Sequence, residues 1–100
     1  MIHVVIADDH PIVREGLRRV LEKEPDLQVV GEAASGTDVV PLVRAAAADV
    51  VILDISMPGG GGIDALGALK REFPDVPVLM LSMYPERQYA VRCLKAGAAG

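Results

Sequence analysis

Apolar runs end on polar groups at three places in this chain. Asp8 and Asp9 follow "MIHVVIA", Asp54 closes "VVILD", and Ser82 closes "VLMLS". If the three runs are neighbouring strands, these groups share one small basin. Carboxylates that close together repel, and one takes up a proton unless a cation joins them. A hard divalent ion with oxygen ligands answers that repulsion. Mg²⁺ suits best, because it uses one or two carboxylates and keeps positions for water and phosphate. An aspartate beside such an ion is a nucleophile towards a phosphoryl group, and the product is an aspartyl phosphate. The ion bridges the attacking carboxylate and the phosphoryl oxygens and offsets their charge. A hydroxyl at Ser82 then bonds a phosphoryl oxygen. The turn after Asp54, "ISMPGGGG", must bring backbone carbonyls close to a metal, and glycine allows close approach and positive φ.

Those residues need a scaffold that aims them. "MIHVVIA" is short, β-branched and apolar, which predicts a strand. Ile12, Val13, Gly16, Leu17, Val20 and Leu21 then recur at helical spacing. Pro11 suits the first turn of that helix, Pro25 closes it, and Asp9 is a candidate N-cap. "LQVVGEA", residues 27–33, alternates and predicts a second, more exposed strand. "SGT" opens a second helix carrying Val39, Val40, Leu42 and Val43, and Pro41 is tolerable there if the helix starts late, near Asp38. Residues 50–53 predict a third strand. Ile63, Leu66, Leu69 and Phe73 mark a third helix, for which the glycine run serves as a turn. A fourth strand over 78–82 and a fourth helix over 85–96, capped by Gly97, complete the pattern. Strands alternating with helices mean βαβ units, hence an α/β fold with a doubly wound parallel sheet covered on both faces. In such sheets the ligand crevice lies beyond the carboxyl ends of the strands, where the acids fall.

Composition narrows the field. At 100 residues the chain is one domain, and an apolar share of 51% is globular. No run is long and uncharged enough to span a membrane. No basic and apolar leader precedes the first acids, so a cytoplasmic location is expected. One cysteine, Cys93, excludes an internal disulfide. A net charge of −4 repels nucleic-acid phosphates, so direct nucleic-acid binding by this chain is not expected.

The chain resembles a two-component response-regulator receiver domain. "IADDHPIVREGL", "VVILDISMPGGGG" and "VLMLSMY" match three of that family's characteristic regions, and "LKAGAAG" matches the segment leading into its last strand. The wording of the first region is similar to the subfamily whose receiver precedes a helix-turn-helix DNA-binding domain. The resemblance implies a flavodoxin-like sheet of order 2-1-3-4, with a fifth strand and helix beyond Gly100, and a receiver domain over residues 1–100 without its output domain. It implies that Asp54 is the phosphoacceptor, supplied by a histidine kinase. Asp8 and Asp9 would hold Mg²⁺ with Asp54 and the backbone carbonyl of Ser56, and Ser82 would be the switch hydroxyl. The function implied is signalling and not enzymatic turnover: phosphorylation switching an attached transcriptional output. The family's fifth strand carries a switch aromatic and a lysine that pairs with the phosphoryl group. Because the chain stops short of both, strand four is expected to be an unpaired edge and a second copy an expected partner.

Two other functions fit some of these residues. A phosphorylation-independent interaction module would keep the acids without the switch. A Mg²⁺-dependent phosphohydrolase using Asp54 as nucleophile would want an acid two residues later, where this chain has Ser56. His10 is expected to be a solvated first-turn residue, since imidazole is a poor partner for Mg²⁺. His3 has no evident partner. Met57, Met80 and Met83 suit packing, and Cys93 lacks the basic surroundings of a reactive thiol.

Overall fold

The computed structural model describes residues 1–54 and 61–81. Seven elements alternate along them: β1 (Ile2–Ala7), α1 (Pro11–Glu22), β2 (Leu27–Ala33), α2 (Gly36–Ala46), β3 (Val50–Asp54), α3 (Gly61–Glu72) and β4 (Val78–Leu81). The strands pair in parallel in the order β2-β1-β3-β4, the flavodoxin-like order expected. The fourth helix, its Gly97 cap, Cys93, Met57 and Met83 lie outside the described residues.

Alternation along each strand sorts the core into two layers. Val5, Ala7, Val51, Leu53 and Val78 pack with Val39 and Val43 of α2 and Ala65, Leu66 and Leu69 of α3. Val4, Ile6 and Ile52 point the other way and meet Leu17 and Leu21 of α1. The α1 side is the thinner. An apolar groove of about 470 Å³ lies open there, lined in part by Ile2, Val4, Leu21, Val50 and Leu79. No residue of α1 is fully buried, whereas Leu66 and Leu69 of α3 have no exposed surface.

Three local readings need correction. The second helix does not start late: it begins at Gly36, and Pro41 sits inside it. The helix forgoes the bond that the nitrogen of residue 41 would make to the carbonyl of Thr37. Burial of Val39 and Val43 on either side of the proline offsets that loss. The cap of α1 is His10, in extended conformation, and not Asp9. Asp9 lies one residue too early, because Pro11 is already helical and the carbonyl of His10 accepts from the N–H of Arg14 at 3.1 Å. The third helix begins at Gly61, so of the two middle glycines expected to form a plain turn, Gly61 is helical, and Gly60 lies outside the described residues.

Two close approaches shape the sheet. On β2, a Cβ at Gly31 would lie 2.8 Å from Leu42 Cδ1, so glycine there lets α2 sit directly on the strand. The β1–β2 register shifts by one residue between Val4 and Val5, a bulge that falls beside this glycine. At the far end of α2, Ala47 caps the helix with φ 51 and ψ 52, its N–H donating to the carbonyl of Val43. Asp49 then ties the next turn to β1. Its N–H donates to the carbonyl of His3, and its Oδ2 accepts from the His3 N–H, both at 2.8 Å.

Candidate metal centre

The register of the sheet makes the site. Ala7, the last residue of β1, pairs with Leu53, one residue before β3 ends at Asp54 opposite Leu81 of β4. The residue after Ala7 is Asp8, which therefore stands beside Asp54. Both are nearly inaccessible, at 3% and 2% exposure. Asp9 follows, partly exposed, with one carboxylate oxygen inside. Ligand atoms of Asp8, Asp9, His10 and Asp54 all lie within 4.8 Å of one another. Three of the five residues expected at the site are thus brought together. Ser56 and Ser82, the other two, lie outside the described residues.

Local hydrogen bonds set the orientation of the acids. The Asp8 N–H donates to the carbonyl of Ala33 at 2.9 Å, which joins the end of β1 to the end of β2. Asp8 Oδ1 accepts from the His10 N–H at 2.7 Å, a short turn closed by a side chain. It also accepts from His10 Nδ1 at 3.0 Å. An ionised carboxylate only accepts, so Nδ1 carries the proton. Asp9 Oδ1 is 2.9 Å from the same nitrogen, but one N–H serves only one of the two oxygens. Asp9 Oδ1 is consequently buried without a hydrogen bond among the described residues.

His10 was not expected to take part. It is exposed, as a solvated residue would be, yet its ring meets both acids. Its pKa is raised, first by the hydrogen bond to Asp8 and next by the charge of Asp9, with a further contribution from Asp54. With Nδ1 turned to Asp8 as a donor, that nitrogen is not free to bind a metal. The signal in the sequence was its place directly after two acids and before a proline.

The donor set fits a hard divalent cation. It offers carboxylate oxygens from three residues, two of them nearly inaccessible, and one buried oxygen that no donor among the described residues satisfies. Arg14 and Glu32 border the site and were also missed by sequence reasoning. Arg14 Nη1 donates to the backbone carbonyl of Asp8 at 2.6 Å, and Arg14 Nε lies 3.4 Å from Glu32 Oε1.

Comparison with known proteins agrees with this geometry. The response regulator receiver domain pattern matches residues 4–100. The response regulator UvrY of Escherichia coli is 46% identical over 100 residues, all of this chain and 46% of that protein. The chain spans about half the length of the curated relatives it matches. Among solved structures, the signal receiver domain of the NarL response regulator from Mycobacterium tuberculosis aligns with a TM-score of 0.93 at 37% identity. That alignment covers 99% of this chain and 80% of the other. The isolated receiver domain of RcsB from Salmonella enterica serovar Typhimurium, determined in the presence of the phosphomimetic BeF3⁻, aligns with a TM-score of 0.90. It is 36% identical, over 97% of this chain and 72% of that one. A strand order that levels Asp8 with Asp54, and a pattern match from residue 4 to the last, make this chain a member of the response regulator receiver domain family.

Proposed function

We propose that Asp54 is the phosphoacceptor of this receiver and that Asp8, Asp9 and Asp54, with the backbone carbonyl of Ser56, hold Mg²⁺. The observation that carries the reading is the gathering of three carboxylates at neighbouring strand ends with Asp9 Oδ1 buried and unsatisfied among the described residues. Mg²⁺ held by these residues would supply positive charge that offsets the negative charge developing in phosphoryl transfer. Asp54 forms the new O–P bond as the P–N bond to the kinase's histidine breaks, and the imidazole departs with the electron pair. Burial of Asp54 at the end of β3 limits the motion of its carboxylate. The hydroxyl of Ser82 then donates to a phosphoryl oxygen, and this contact biases the segment that follows between two arrangements.

The partners in this reading are a histidine kinase and a DNA-binding output domain outside the chain, acting in the cytoplasm. UvrY is named a response regulator, and RcsB was solved bound to a promoter, which supports a transcriptional output. No helix among the described residues is long and apolar enough to cross a membrane. Pairing of two copies belongs to the same reading. The open groove on the α1 side favours it, with Leu79 at its edge exposed, and light scattering at micromolar concentration tests it.

Mass spectrometry after treatment with acetyl phosphate and Mg²⁺ tests the phosphoacceptor. One phosphoryl increment is expected on the wild type and on Asp38→Asn, and none on Asp54→Asn. An unchanged increment in Asp54→Asn would remove the assignment.

A further inference from the structure

The acidic pair is held from behind by side chains outside the carboxylate cluster. Asp8 and Asp9 share one peptide plane, whose oxygen is the carbonyl of Asp8. Because that plane is rigid, its rotation about the chain swings the Asp9 carboxylate relative to the Asp8 carboxylate. One contact acts on that plane directly: the Asp8 carbonyl accepts from Arg14 Nη1 at 2.6 Å. The preceding peptide is fixed separately, its Asp8 N–H donating to the carbonyl of Ala33 at 2.9 Å, so the Arg14 bond is what sets the orientation of the Asp8–Asp9 unit.

Arg14 is itself clamped. Its Nε lies 3.4 Å from Glu32 Oε1, and both side chains are largely buried, at 19% and 23% exposure. Glu32 also pairs with Arg18 of the same helix and stands opposite Ile6 in the β1–β2 register. The bracket therefore runs from α1 through Arg14 to β2. A guanidinium presents several donors in a fixed fork, so one side chain reaches the carbonyl and the carboxylate at once. A lysine ammonium is a single point and holds one of them well.

We propose that Arg14, steadied by Glu32, is a positioning residue for the cation site, fixing the Asp8–Asp9 peptide so that Asp9 Oδ1 stays turned inward. The inference rests on reading Asp8, Asp9 and Asp54 as that site. Its consequence is opposite in sign to simple electrostatics. Arg14 is a cation near a cation site, so as a charge alone its removal tightens Mg²⁺ binding. As a positioning group its removal weakens binding, as loss of a supporting contact behind metal ligands does.

The test is a Mg²⁺ titration of the full chain followed by amide shifts at residues 8–10 and 54, with urea unfolding measured without Mg²⁺. Arg14→Gln is expected to weaken Mg²⁺ about tenfold, and Arg14→Lys, which keeps the charge, also to weaken it. Glu32→Gln leaves the site's own residues and Arg14 in place, and it is expected to weaken Mg²⁺ about threefold by loosening the clamp. It also serves if Arg14→Gln does not fold. Unchanged or tighter binding in the folded Arg14 variants, or in Glu32→Gln where they do not fold, overturns the proposal. A wild-type chain whose amides do not respond to Mg²⁺ overturns the cation site itself, and the positioning role falls with it.

Discussion

Along β1, Ile6 and Ala7 are buried in hydrocarbon, and the next residue, Asp8, is buried almost as deeply with a charge. β3 does the same at Leu53 and Asp54. The middle of each strand and its carboxyl end thus share a backbone and a degree of burial but oppose each other energetically. Removing apolar side chains from water stabilises the sheet at about 25 cal/mol for each Å². Removing carboxylates from water costs stability unless partners compensate. The strand middles supply the surplus that allows their ends to hold acids close together. Stability and chemistry should therefore separate by position along a strand.

The sharpest break of that comparison is Asp54→Asn. It should lose all phosphoryl uptake while the folded chain persists, as seen by mass spectrometry and circular dichroism on the same sample. Leu66→Ala is the converse. It empties a fully buried site on the α3 side and should cost about 3 kcal/mol in urea unfolding, with the folded fraction still taking up Mg²⁺. Asp9→Asn should weaken Mg²⁺ by about tenfold, a change of about 1.4 kcal/mol. Its urea midpoint should hold or rise, since one of three mutually repelling charges is removed. A large loss of stability in Asp9→Asn would mean that the acids brace the fold, and the separation by position would fail. Leu21→Ala probes the thin α1 side, where the leucine is half-buried beside the open groove. It should cost only about 1 kcal/mol.

Much of this arrangement was legible because it is written in short-range patterns. Apolar runs ending on acids gave the strands and, through their neighbouring ends, the meeting of Asp8, Asp9 and Asp54. Other features depend on distances that no local pattern carries. Arg14 and Glu32 are on different elements and meet only because β2 lies beside β1 with its particular register. The reciprocal bonds of His3 and Asp49 likewise join the start of β1 to the turn before β3. Pro41 misled for the opposite reason. A local rule about proline was outweighed by burial of Val39 and Val43, which only tertiary packing provides. His10 was judged by its poor affinity for Mg²⁺, when its contacts are to the acids themselves.

Ala47 offers a route to a sturdier starting protein. It holds a left-handed backbone that disfavours a side chain, at the end of α2 and outside the group of Asp8, Asp9, His10 and Asp54. Ala47→Gly should raise the melting temperature by a few degrees, about 1 kcal/mol for a domain of this size. Variants at Asp8, Asp9, Arg14 and Asp54 made in that background would start with a wider margin before unfolding. Differences among them in Mg²⁺ uptake could then be read on molecules that are all folded.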